Sequence, residues 1–202
     1  MIRLHYSVRS PFARRVRLAL GRLDVKFETS EVNVFEPTAE LLAVNPLGLV
    51  PAMKWQGESI VDSATILEVL HEEHGRRLWP EDSTLRRKVR SASALAEGIM
   101  TQTVALYLEN LRKEKASPDW QQDYTDSILR TLVQIEEKIL PSKVLEQSDE
   151  LTQAGWDTMV ALEYLNLRAP QLDWAGKYLK LHHFYRKHWG HKLLRATAPP
   201  PA

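Results

Sequence analysis

Ser7-Val8-Arg9-Ser10-Pro11-Phe12-Ala13-Arg14 decides how the first part of this chain is read. It joins residues 2–6, a strand-like run, to a helical pattern from Pro11 to Leu23 with Phe12, Val16, Ala19, Leu20 and Leu23 on one face. Ser10-Pro11 is the hinge between them. Serine suits the N-cap and proline the first helical position, where no intrahelical donor is needed.

Working outward, Lys26 to Val32 alternates as a second strand, and Thr38 to Val44 fits a short helix. Asn45-Pro46 closes that helix, because the residue before proline avoids helical geometry. Pro51–Trp55 and Glu58–Val61 are two short strands joined by the turn signal Gln56-Gly57. From Ala64 a helix is expected to run to Gly75 with Ile66, Leu67 and Leu70 inward. The expected order is β-α-β-α-β-β-α.

After Leu78-Trp79-Pro80-Glu81-Asp82-Ser83 no strand pattern returns. Residues 85–115, 120–140, 153–168 and 174–194 carry helical spacing, as in Ile128/Leu132/Ile135/Ile139 and Trp156/Val160/Tyr164/Leu167. The reading is a mixed α/β domain over 1–79 and an all-helical domain over 85–202. Thr152 is a candidate N-cap, with Leu151 and Trp156 placed as a hydrophobic staple. Ala196 to Ala202 reads as a loose or surface-bound tail.

Composition narrows the function. The chain has 202 residues, 44% hydrophobic and 26% charged, enough for a true core. Its net charge is +1, from 27 Lys+Arg against 26 Asp+Glu, which gives no reason to expect nucleic acid or a membrane surface as partner. There is no cysteine, so any thiol chemistry must use a thiol brought by the ligand. The start lacks the apolar core of a signal peptide, and no stretch nears the ~18 apolar residues of a membrane span. A cytoplasmic protein is expected.

Three signals carry candidate chemistry, each suited to one part of an anionic thiol peptide. Ser10 either only caps its helix or also donates its hydroxyl to a thiolate held at the positive end of the helix dipole. Tyr6, ending the first strand, is a second possible donor or simply a half-buried strand aromatic. Val50-Pro51 opens the third strand; it is an ordinary loop proline, or a cis bond that leaves the Val50 N–H and C=O free to pair with a peptide. Asp62-Ser63 opens the next helix. Either residue can cap it, while the Ser hydroxyl with free helix N–H groups suits a carboxylate and the Asp an ammonium. The γ-glutamyl end of glutathione carries both charges on one carbon.

Other groups read as structural. His71/His74 and His188/His191 are spaced i, i+3 with no further ligand set, so no metal is expected. Arg14, Arg15 and Arg17 read as a solvated basic face. Met100, Thr103 and Tyr107 form a stripe whose default is core or dimer contact, with a co-substrate pocket as the alternative.

On these residues, with the mixed-then-helical layout, the chain resembles the glutathione S-transferase family over essentially its whole length. It is most similar to bacterial members with Ser-Pro-Phe-x-Arg at the first helix. Ala94-Leu95-Ala96-Glu97-Gly98-Ile99-Met100 and Tyr164-Leu165-Asn166-Leu167-Arg168 share the likeness. The resemblance implies a thioredoxin fold followed by an all-α domain that supplies the co-substrate pocket. It implies that Ser10 activates the thiol, that Val50 pairs with the cysteinyl backbone before a cis Pro51, and that Asp62 and Ser63 hold the γ-glutamyl group. It further implies a two-fold homodimer that detoxifies small electrophiles with glutathione as co-substrate. Isomerisation or dehalogenation through the same thiolate is a competing chemistry. A transferase-like interaction module without turnover is the non-enzyme alternative. One departure stands out: the family commonly has Asp three residues after the capping Ser/Thr, and here that position is Gly155.

Overall fold

A computed structural model of the chain describes residues 1–75 and 77–201. Its first elements are β1 (Ile2–Tyr6), α1 (Pro11–Arg22), β2 (Phe27–Glu31), α2 (Ala39–Val44), β3 (Ala52–Trp55), β4 (Glu58–Val61) and α3 (Ser63–Glu73). The four strands make one sheet in the order β2-β1-β3-β4. β1 runs parallel to β2 and antiparallel to β3, and β3 is antiparallel to β4. This is the small mixed α/β domain expected from the sequence. Ile2, Leu4, Val16, Ala19, Leu20, Met53, Ile66, Leu67 and Leu70 are buried in it. Each larger aliphatic side chain of this set contributes about 1.5–3 kcal/mol. A second cluster of Val32, Leu41, Val44 and Ala52, with Val50 and Val61 against it, seats α2.

The boundary drawn from the sequence assigned everything after residue 85 to the helical domain. His191–Pro200 instead joins the first unit, Met1–Leu78. The reason lies in α1. Buried Arg14 donates from Nη2 to the Leu194 carbonyl at 2.9 Å and from Nε to Thr197 Oγ1 at 3.3 Å. Leu193 lies so near Gly21 that a Cβ there would stand 3.0 Å from Leu193 Cδ2. The tail is therefore pinned over 191–197, with Leu194 and Thr197 buried; Ala202 lies outside the described residues.

The second unit, Trp79–Gly190 with Pro201, is helical: α4 (Ser83–Leu111), α5 (Pro118–Gln134), α6 (Gln153–Arg168), α7 (Trp174–Lys177) and α8 (Leu179–His188). Asp82 caps α4 by accepting from Leu85 N at 2.7 Å, and Ser117-Pro118 starts α5 as Ser10-Pro11 starts α1. α6 is the central helix, buried from Gln153 through Leu162. Its one buried carboxylate, Asp157, accepts from Ser93 Oγ and from Gln153 Nε2. Met100 and Thr103 of α4 are core, Thr103 donating to the Ile99 carbonyl at 2.7 Å. Tyr107 lies under the Arg168 guanidinium, 3.9 Å from its ring centre.

Two readings of this half are corrected. Strand does return, as a two-residue hairpin of β5 (Glu146–Gln147) and β6 (Glu150–Leu151). Ser148 and Asp149 both have positive φ in its turn, the pattern of the tight hairpin turns that fit strand twist. The helix expected over 174–194 is broken into α7, α8 and a last turn, Lys192–Ala196. Asp173 caps α7 through Gly176 N, where a Cβ would lie 2.5 Å from the Asp173 carboxylate. α8 then starts afresh, because Glu136 accepts from Leu181 N at 2.9 Å. Among the described residues, no helix is long and apolar enough to cross a membrane.

Candidate functional site

Strand register brings the three sequence signals to one end of the sheet. His5 pairs with Ala52, and Ala52 with Val61. The end of β1, the start of β3 and the end of β4 are therefore neighbours. Ser7–Ser10, Val50–Pro51 and Asp62–Ser63 leave the sheet from those three points. Fifty-odd residues of sequence separation collapse into adjacent strand ends.

Ser10 is the N-cap of α1, with extended backbone and Oγ accepting from Ala13 N at 3.2 Å. The cap uses a lone pair of the hydroxyl and leaves its proton, so capping and donating are compatible roles. The residue is half-buried, at the end of the helix where partial positive charge collects. Tyr6 serves this purpose less well. Its hydroxyl donates to Glu31 Oε2 at 3.3 Å, and the Arg17 guanidinium sits 5.0 Å from its ring centre. Burial first, then the Glu31 charge, pushes the phenol above its ordinary value. Tyr6 is thus the half-buried strand aromatic of the plainer reading.

The Val50–Pro51 bond is cis. The loop before it is held by Asn45, which is buried: Nδ2 donates to the Leu49 carbonyl at 2.8 Å, and Oδ1 accepts from Leu47 N at 3.1 Å. Gly48 takes φ +66 in that turn, where glycine has no steric cost. Val50 itself packs against the apolar cluster under α2, so its backbone is presented by a loop fixed at both ends.

At the third point the sequence left the cap open between two residues, and Asp62 holds it, its Oδ1 accepting from Thr65 N at 2.8 Å. Asp62 has φ 58 and ψ 160, a region populated almost wholly by glycine. Such strain costs on the order of 1–3 kcal/mol and concentrates at ligand sites. The twist leaves Asp62 exposed and turns Ser63 inward, where it is 3% exposed. Its Oγ accepts from Arg15 Nη1 at 3.2 Å. Exposed carboxylate, serine hydroxyl and helix N–H groups together match a ligand bearing ammonium and carboxylate on one carbon.

Arg15 corrects the sequence reading most sharply. Arg14, Arg15 and Arg17 were expected on a solvated face; Arg14 is 3% exposed, Arg15 2%, and Arg17 half-buried. The missed signal was helical phase: Arg15 is four residues from both Pro11 and Ala19, which are buried. The histidines play separate local parts. His71 Nδ1 accepts from Leu78 N, His188 Nε2 meets Glu146 at 2.7 Å, and His191 caps the last turn. Among the described residues no three metal-type side chains gather.

Comparison with known proteins gives the site its context. A family model described as glutathione S-transferase, N-terminal domain, matches residues 4–78. The chain is 31% identical over 179 residues to maleylacetoacetate isomerase of Rattus norvegicus, covering 84% of this chain and 80% of that protein. It is 34% identical over 146 residues to the Mus musculus protein of the same name, covering 69% of this chain and 65%, just under two thirds, of that protein. A solved glutathione transferase family member from Pseudomonas fluorescens Pf-5, with bound glutathione, superimposes with a TM-score of 0.89 at 30% identity, covering 99% of this chain and 100% of that one.

Proposed function

This chain belongs to the glutathione S-transferase family, and we propose that it is a glutathione transferase of the serine type found in bacterial Ser-Pro-Phe members, in which Ser10 activates the thiol. Glutathione lies across the sheet end. Its γ-glutamyl ammonium meets Asp62, the carboxylate beside it takes the Ser63 hydroxyl and the α3 N-terminus, and its cysteinyl backbone pairs with Val50 ahead of Pro51. The thiol then reaches the N-terminus of α1. There the Ser10 O–H and the helix dipole favour the thiolate, and the thiolate attacks a small electrophile. The helical unit supplies the electrophile's pocket, and the working form is a cytoplasmic homodimer.

The observation that carries this reading is the register, His5 to Ala52 to Val61, which sets three complementary subsites side by side. Ser10 is a donor here and never a base, because a hydroxyl is far too weak an acid to be ionised by its surroundings.

The mouse and rat relatives favour a second chemistry at the same thiolate. The sulfur adds to the cis carbon–carbon double bond of an unsaturated keto acid, and the electron pair moves to the carbonyl oxygen. The resulting single bond rotates; the electrons return, and the thiolate leaves from the trans product. Nothing is consumed, and no cysteine of the protein is required.

Retention on immobilised glutathione, with release by the free tripeptide, is the expected result that tests the site. No binding at millimolar glutathione would refute it. Assays of retained protein with an aryl halide, an epoxide and maleylacetoacetate divide the chemistries. Retention with no turnover of any of them would favour the interaction-module alternative.

A further inference from the structure

We propose that the helical unit carries a second binding pocket, between the turn Leu140–Ser142 and α8, for an amphipathic anion: one carboxylate or sulfonate on an apolar body. The cavity there is about 550 Å³, inside the range of about 300–1,000 Å³ usual for small-molecule sites. Every residue that lines it belongs to the second unit, so it owes nothing to the sheet end. Its apolar part is Phe184, which is buried, Leu140, half-buried, and Leu179, which is 67% exposed.

The rim is cationic, and its charges fall into two groups. Lys187 is engaged, with Nζ 3.0 Å from Glu146 Oε1 and 2.9 Å from Asp149 Oδ1. Glu146, the one carboxylate in the lining, also meets His188 Nε2 at 2.7 Å. Glu136, near the start of α8, accepts from Leu181 N at 2.9 Å. These acids therefore have partners in place. Lys143 and Lys180 remain: among the described residues neither ammonium has a hydrogen-bond or ion-pair partner, and Asp149 acts on Lys143 only through space. α8 itself contains no Asp or Glu.

The backbone presents Lys143 without using its charge. It takes φ 57, where glycine is the usual residue. Its N–H donates to the Leu140 carbonyl at 3.2 Å, and its carbonyl accepts from Gln147 Nε2 at 2.6 Å. An apolar floor beside two unspent ammonium groups suits an anion with a hydrocarbon body. The body covers Phe184, Leu140 and Leu179, and the anionic head takes charge-assisted hydrogen bonds from Lys143 and Lys180.

Calorimetry with decanoate as the probe tests this, with S-methylglutathione, which cannot react, in excess to fill the sheet end. Saturable uptake at one site per chain is expected. Octanoate should bind about 16-fold more weakly, from about fourfold per buried methylene. Lys143→Gln and Lys180→Gln should each weaken decanoate about fivefold, the upper worth of an exposed ion pair, and added salt should weaken it further. Leu179→Ser should weaken it about 10-fold through lost apolar contact. All three side chains are exposed, so the variants are expected to fold.

No saturable uptake at millimolar decanoate would overturn the proposal. So would uptake that all three substitutions leave unchanged, which would place the anion elsewhere. Binding of 1-octanol as tight as that of octanoate would show that the lysines do not read the charge. Capture by anionic lipid vesicles without uptake of decanoate would make this face a membrane contact and overturn the pocket.

Discussion

Replacing Ser10 with glycine is expected to lower glutathione-dependent turnover at neutral pH by about 10- to 100-fold, the worth of one charge-assisted hydrogen bond of about 1.5–3 kcal/mol. Glycine is the informative substitution because Ser10 also caps α1 through Ala13 N. Alanine would confound the two roles, since loss of a serine cap costs about 1 kcal/mol, whereas glycine costs only a few tenths. The defect has a pH signature. Without the donor the bound thiol ionises at higher pH, so the deficit is largest below the wild-type thiol pKa. It shrinks as pH rises through the variant's higher pKa, above which both proteins hold thiolate. Affinity for S-methylglutathione should change little, because in the proposed binding mode the rest of the tripeptide meets Val50, Asp62 and Ser63. Full turnover of Ser10→Gly at neutral pH would reduce Ser10 to a helix cap and leave the dipole of α1 to activate the thiol.

Gly155→Ala is expected to cost about 3 kcal/mol, a severe value for a single methyl group. Thr152 caps α6 by accepting from Gly155 N at 3.3 Å, and the same threonine donates from Oγ1 to the Val144 carbonyl at 2.7 Å. Its backbone N–H also reaches the Leu145 carbonyl at 3.0 Å. These bonds draw the segment before the β5–β6 hairpin tightly onto the start of α6. A Cβ on Gly155 would stand 2.1 Å from the Leu145 oxygen, a backbone atom, and 2.8 Å from Leu151 Cδ2. Something in the most buried helix of the unit must move. For a chain of this length the loss corresponds to a fall in Tm of about 6–12 °C, read by thermal circular dichroism. A Tm within about 2 °C of wild type would mean that the loop from Val144 yields freely, and that glycine is not required there.

What could be read in advance was local chemistry. Ser10-Pro11, Thr152 and Gln56-Gly57 announce caps and a turn, because their signals lie within three or four residues of their consequences. The order β-α-β-α-β-β-α followed from strand and helix spacing together with such signals, and Ser10, Val50–Pro51 and Asp62–Ser63 fall at neighbouring strand ends. What escaped depends on partners distant in sequence. Arg15 looked like one of three surface cations since its partner Ser63 is 48 positions away, and long charged side chains are almost never fully buried unless something receives them. Arg14 escaped for the same reason, and with it the attachment of residues 191–200 to the first unit. The Asp62 backbone carries positive φ without a glycine to announce it. The β5–β6 strands are two residues each and alternate nothing. The long helix expected at the C-terminal end broke because Glu136, from a helical turn well before it, caps α8.

The central claim is that this sheet end binds glutathione and lowers the pKa of its thiol. Ultraviolet titration of the thiolate in the saturated glutathione complex measures that directly. Ionisation is expected well below the ~8.5 of an ordinary thiol, by about one to two units on the scale of activated thiols. A complex whose thiol titrates with the free tripeptide would contradict it.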